Sequence, residues 1–152
     1  MQFGEDVLRK KCREVTSFDE KLGVLLDDMA ETLQNADGVG LAAPQVGLLR
    51  RVVVIDVRDG KGTIELVNPV IIEQEGNQVG NEGCLSAPGE WCEVERPMRV
   101  TVKALDRHGK EFTVKGEGLL ARALCHEVDH LEGILFTDRV KQAIPKRSEG
   151  MK

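Results

Sequence analysis

The sequence predicts an α+β fold in which mostly antiparallel β-sheets pack around one central buried helix, and three observations carry that expectation. First, Leu119, Leu120, Ala123, Leu124, Val128 and Leu131 cover most of a helix circumference and leave Arg122 and Asp129 on one side. A helix this apolar belongs inside a fold rather than on its surface. Second, Arg99 to Leu105 and Glu111 to Lys115 each alternate apolar and polar residues on either side of Asp106-Arg107-His108-Gly109, the pattern of an antiparallel hairpin. Third, the strand-like segments follow one another between an amphipathic helix early in the chain and the buried helix late in it.

At 152 residues the chain, 1–152, suits a single domain with one real core. Its 41% apolar and 31% charged residues are those of a globular protein. Aromatics make up 3%, with one Trp and no Tyr, so Val, Leu, Ile and Met must build the core and base-stacking platforms are nearly absent. A net charge of −5 argues against specific nucleic-acid binding and against anionic membranes. No apolar run reaches membrane length, and Met1-Gln2-Phe3-Gly4-Glu5-Asp6 is too acidic for a signal peptide, so the expected address is the cytoplasm. Cys12, Cys84, Cys92 and Cys125 form no Cys-x-x-Cys pair and are expected as free thiols.

Along the chain, Asp6 to Glu14 is a charged approach with little periodicity. Thr16 or Ser17 is then the candidate N-cap of the first helix, with Glu20 three residues beyond Ser17 completing a capping box. Leu22, Leu25, Leu26, Met29 and Leu33 recur at helical spacing while Asp27, Asp28 and Glu31 face water, and the helix is expected to end near Asp37-Gly38. Gly38 to Gly47 is small, apolar and glycine-interrupted, with Gln45 as its lone amide. It lacks the spacing of a dinucleotide loop and the Lys of a phosphate loop. Two readings of it stay open: a tight connection between close backbones, or a small-residue pocket wall whose Gln hydrogen-bonds a substrate.

Arg51 to Val57 reads as a buried strand, and Thr63 to Glu73 as a second that Asn68-Pro69 makes an edge or interrupts. Gly80 to Gly89 is a loop by composition, Glu93 to Glu95 alternates briefly, and His108 is an exposed turn residue. Gly116-Glu117-Gly118 opens the late helix and Gly133 ends it. The segment 141–152, with Pro145 and several lysines, is expected to be a short or frayed tail. No repeat or linker divides the chain.

The chemistry centres on Leu124-Cys125-His126-Glu127-Val128-Asp129-His130-Leu131. His126 and His130, four residues apart on a helix, point the same way one turn from each other, which makes a metal claw. Glu127 flanks that face, where its carboxylate can take a proton from water activated by a metal without ligating it. Such a site needs a third protein ligand and an open position. A third His six residues past the second fails, because Phe136 stands there; Glu149, the other late candidate, falls in the basic tail. Cys84, between Glu82-Gly83 and Leu85-Ser86, remains, and a thiolate with two imidazoles makes a soft tetrahedral base with one vacancy.

Gly38-Val39-Gly40-Leu41-Ala42-Ala43-Pro44-Gln45, Glu82-Gly83-Cys84-Leu85-Ser86 and His126-Glu127-Val128-Asp129-His130-Leu131 together resemble the three signature motifs of the peptide deformylases, in the family's order and approximate separation. The resemblance runs over nearly the whole chain and implies one catalytic domain. It implies hydrolysis of the formyl group from N-formylmethionine on nascent bacterial polypeptides, with Fe(II) as the expected metal and Zn(II), Ni(II) or Co(II) able to replace it. It also implies Cys84, His126 and His130 as ligands, Glu127 as general base, and the Gln45 amide with the Leu85 backbone N–H as oxyanion donors. Val39, Gly40, Glu82, Gly83, Leu119 and Ala123 are the implied substrate contacts, with a monomer expected and contact with the ribosome as a further expectation.

The chain departs from the family pattern at Trp91, where many members carry Arg near the substrate's mouth, and at Cys125, where many carry Gln. It also begins closer to Asp6-Val7-Leu8-Arg9 than family members usually do. Two rival readings use the same residues: a zinc endopeptidase built on this helix, and a structural zinc closed by Cys92 or Cys125 in a peptide-binding module.

Overall fold

The computed structural model describes residues 11–36, 38–60, 62–84, 87–134 and 140–143; for 82–92 and 140–143 only the backbone is described. The elements run α1 (Glu20–Gln34), β1 (Gly40–Ala42), a 3-10 turn (Ala43–Val46), β2 (Val52–Ile55), β3 (Ile64–Glu75), β4 (Gln78–Cys84), β5 (Ala87–Arg96), β6 (Arg99–Leu105), β7 (Glu111–Glu117), α2 (Leu119–Leu131) and β8 (Val140–Ala143). β1-β2-β3-β6-β7 form one antiparallel sheet and β4-β5-β8 a second. This is the expected α+β arrangement, with α2 buried at its centre.

The larger sheet is sandwiched between the two helices. Val52, Val54 and Val67 pack with Leu22, Leu26, Met29 and Leu33 of α1. Val53, Ile55, Leu66, Val100, Val102 and Ala104 pack with Ala121, Ala123, Leu124 and Leu131 of α2. Successive strand residues point to opposite faces, so an unbroken Val-Val-Val-Ile is what a strand buried on both faces requires.

Several local expectations need correction. The N-cap of α1 is Asp19, whose carboxylate accepts from the Leu22 N–H at 3.2 Å, in place of Thr16 or Ser17. The helix stops at Gln34, short of Asp37. There the Arg58 guanidinium donates to the carbonyls of Leu33, Ala36 and Gly38 at 3.0–3.1 Å, tying the helix end to the chain that leaves it. Asn68-Pro69 does interrupt β3, which is an inner strand between β2 and β6 rather than an edge. The ladder shifts register between Val67 and Val70, Asn68 adopts φ 52°, and its side chain exchanges two hydrogen bonds with the Val15 backbone, at 2.8 and 2.9 Å.

The largest correction concerns Gly80 to Gly89, which forms the paired ends of β4 and β5 instead of a loop, residues 85 and 86 lying outside the described residues. Composition misleads here because the two arms of the segment pair with each other and β5 pairs on with β8. Gly80 lies against α2: a Cβ there would lie 3.0 Å from Nη2 of Arg122, so the guanidinium would have to give way to a larger residue. The tail expected from 141 is preceded and joined by β8, which pairs with β5; 144–152 lie outside the described residues. Among the described residues no helix is long and apolar enough to cross a membrane.

Candidate metal centre

α2 begins at Gly118, whose φ of 63° turns the chain out of β7, and then buries ten of its residues, Ala121 to Glu127 and Asp129 to Leu131. Burial of polar side chains is costly unless each finds a partner, and α2 carries five. Arg96 of β5 donates to Asp129 at 2.7 Å, with the guanidinium 4% and the carboxylate 12% exposed. Arg122 donates to the carbonyls of Val94 at 3.2 Å and Gly80 at 3.4 Å. The side of α2 that the sequence leaves polar is thus its seam with the smaller sheet. The arginine partners escaped the sequence reading. A carboxylate on an otherwise apolar helix does signal that a cation must meet it, but which of the chain's arginines does so depends on the sheet.

On the adjoining face, His126 and His130 stand with ring centroids 5.1 Å apart and planes inclined by 59°. His130 is fully buried. Its burial, then the nearby His126 and Arg96, push the imidazole down to about 3, so it is neutral and keeps a lone pair for a ligand at neutral pH. The ligating atoms of His126, Glu127 and His130 all lie within 4.8 Å of one another, a group that fits a divalent cation. Cys125, one of the closing ligands weighed for a structural zinc, is instead in the apolar core beneath α2.

β1 runs beside this face at the edge of the larger sheet. Val39 is half-buried, and its carbonyl accepts from Asp56 N–H at 2.8 Å; Gly40 is buried. Gln45, 5% exposed, accepts from the Ala42 N–H through Oε1 at 2.9 Å, which fixes the amide and turns its donor end, Nε2, away from that contact. Ala123 is buried one turn before His126, whereas Leu119 at the helix start is 52% exposed. Glu82, Gly83 and Cys84 lie on β4, where Glu82 pairs with Cys92 and Cys84 with Ala87. Their side chains, that of Trp91, and all of Leu85, Phe136 and Glu149 lie outside the described residues. The structure therefore brings together His126, Glu127 and His130, sets Gly40 against Glu127, and carries the backbone of Cys84 on the sheet joined to α2 by Arg96 and Arg122.

A buried helix that presents two imidazoles and a carboxylate within an antiparallel α+β fold is the arrangement a metal-dependent hydrolase uses. A polypeptide deformylase sequence profile matches residues 1–146. The chain is 62% identical over 137 residues to a peptide deformylase of Acetivibrio thermocellus, covering 90% of this chain and 79% of that one. It is 55% identical over 152 residues to that of Caldanaerobacter subterraneus subsp. tengcongensis, covering 99% and 94%. Its fold superposes on the crystal structure of a peptide deformylase from Legionella pneumophila with a TM-score of 0.89 at 48% identity, over 93% and 84% of the two chains. On a Synechococcus elongatus peptide deformylase crystallised in complex with actinonin the TM-score is 0.88 at 42% identity, over 93% and 77%. The chain belongs to the polypeptide deformylase family. It is an enzyme of that metal-dependent family, hydrolysing the N-formyl group of nascent polypeptides.

Proposed function

We propose that formate is released from N-formylmethionyl peptides at a centre in which Cys84, His126 and His130 hold the metal and Glu127 is the general base. The observation that carries this reading is the cluster of two imidazoles and one carboxylate within 4.8 Å on a buried helix. A divalent metal bound there supplies a Lewis acid that acidifies water and polarises the formyl oxygen. Fe(II) is the proposed native ion, with Zn(II), Ni(II) or Co(II) able to substitute, since a thiolate with two neutral imidazoles accepts all of them.

Glu127 takes the proton of the attacking water and passes it to the leaving amine. The formyl oxygen gains charge as water attacks, and the Gln45 Nε2 and Leu85 backbone N–H are the proposed donors to it. Loss of one such donor typically costs about 2.7–4 kcal/mol in the barrier. The peptide lies along β1 as an added strand, for which the place of β1 at the sheet edge is the support. Val39, Gly40, Glu82, Gly83, Leu119 and Ala123 are its proposed contacts, with exposed Leu119 bordering the methionine side chain. A monomer acting in the bacterial cytoplasm on chains leaving the ribosome completes the reading.

The test is formate release from a formyl-Met-Ala-Ser peptide by protein purified anaerobically with Fe(II). Glu127→Gln is expected to keep its metal and lose activity by 10²-fold or more, in the range of a lost general base. Cys84→Ser is expected to lose both metal and activity. Metal binding undiminished in Cys84→Ser would remove Cys84 from the ligand set.

A further inference from the structure

We infer that Gly40 is a positioning residue: the side chain missing at position 40 is the space in which the Glu127 carboxylate is seated. This deepens the proposed role of Glu127 and rests on it.

Gly40 opens β1, and a glycine in a strand gives up side-chain packing and backbone entropy unless the backbone or a close neighbour requires it. The backbone does not require it here, because Gly40 is absent from the residues of positive φ. A neighbour does. A Cβ built on Gly40 would lie 2.7 Å from Oε2, 2.8 Å from Cγ and 3.0 Å from Cδ of Glu127, the three nearest atoms to it. The far end of an exposed glutamate could swing aside, but Glu127 is 4% exposed on a helix whose next turn carries fully buried His130. Any retreat of the carboxylate is therefore into packed atoms or along its own side chain, away from its present place.

A general base works from about 2.6–3.2 Å of the atom that carries the proton, or through one water, and a misplacement of about 1 Å can cost roughly 10²-fold in rate. The β1 strand thus sets the base's position by omission. The same glycine, through its backbone, is also a proposed peptide contact, and the two roles separate experimentally because Gly40→Ala keeps the N–H and C=O while filling the space.

The experiment compares wild type, Glu127→Gln and Glu127→Ala, each with and without Gly40→Ala, as full-length Ni(II)-loaded protein. Metal content, thermal midpoint, and kcat and KM on a formyl-Met-Ala-Ser peptide are measured. Gly40→Ala is expected to lower kcat by roughly 10²-fold with KM changed less than about twofold, the pattern of a lost transition-state interaction. It should lower the midpoint by a similar amount in the wild type and in Glu127→Gln, where the side chain keeps its volume. In Glu127→Ala, where the volume is gone, it should leave the midpoint unchanged or raise it.

If Gly40→Ala alone fails to fold, folding of the Gly40→Ala/Glu127→Ala double variant supports the inference, and failure of both overturns it. An equal drop in midpoint in all three backgrounds overturns it, as does a raised KM with kcat intact. Full activity of Glu127→Gln would instead strike at the role of Glu127 as base and remove the catalytic half of the inference, while the midpoint cycle still judges the contact between the two residues.

Discussion

α1 and α2 are built on the same helical spacing of apolar residues and are used in opposite ways. α1 buries Leu22, Leu26, Met29 and Leu33 against one face of the larger sheet and leaves its acidic side in water. α2 buries its apolar residues against the other face and then buries Arg122, His126, Glu127, Asp129 and His130 as well. The first helix adds stability mainly through transfer of apolar surface. The second carries the cost of desolvating polar groups, part of which is offset by the ion pair with Arg96 and the carbonyls of Gly80 and Val94. Of these dry polar groups, Arg122 and Asp129 bind α2 to the smaller sheet, while His126, Glu127 and His130 are the ones placed to hold a metal ion.

The comparison is broken most severely at the seam between α2 and the smaller sheet. Asp129→Ala deprives buried Arg96 of its carboxylate at 2.7 Å. Removing one member of a buried pair typically costs about 3–5 kcal/mol, so this variant is expected to show the largest loss in a urea titration. Because Arg96 belongs to β5, paired along its length with the strand that bears Cys84, metal content should fall with it. A variant with full stability and full metal loading would show that the seam is held by the apolar contacts alone.

Leu26→Ala tests the other helix. Leu26 is fully buried in the cluster between α1 and the sheet, and truncation of such a leucine costs about 2–5 kcal/mol by lost transfer energy and the cavity left behind. Below its lowered midpoint the variant should retain the kcat and metal content of the parent, because α1 reaches the site only through the sheet. A loss of kcat in fully folded Leu26→Ala would mean that the two helices are not separable in this way.

What could be read from the sequence divides along the same line. The α+β class, the α1 stripe, the doubly buried β2, the β6–β7 hairpin and the central place of α2 were legible, because each is written in a local period that burial enforces. The metal cluster was legible because its members share one helical turn. The strands over 78–96 were not. Gly80, Asn81, Gly83, Pro88 and Gly89 give that segment the composition of a loop, and what makes it a sheet is the pairing of β4 with β5 and of β5 with β8, a strand far along the chain. Arg96 and Asp129 were invisible as a pair for the same reason, as was the fit of Gly40 to Glu127: contacts between distant segments leave no period. Asn68 shows the converse case, where a Pro correctly announces a break but nothing local signals that the asparagine side chain beside it binds the backbone of Val15.

The smallest expected effect sharpens a detail that the sequence reading misplaced. Ser17 with Glu20 has the spacing of a capping box, yet it is Asp19 whose carboxylate receives the Leu22 N–H at 3.2 Å, with extended backbone at φ −121°. Ser17, two residues before the cap, has no described bond to a first-turn amide, whereas an aspartate at the cap both accepts that bond and sets a negative charge at the positive end of the helix dipole. Asp19→Ala is therefore expected to destabilise the protein by about 1 kcal/mol, while Ser17→Ala should stay within about 0.5 kcal/mol of the parent. Because α1 is the helix without chemistry, both variants should keep full activity at temperatures where they are folded. The reverse order of the two losses would restore Ser17 as the cap and place the start of α1 where the capping-box spacing first put it.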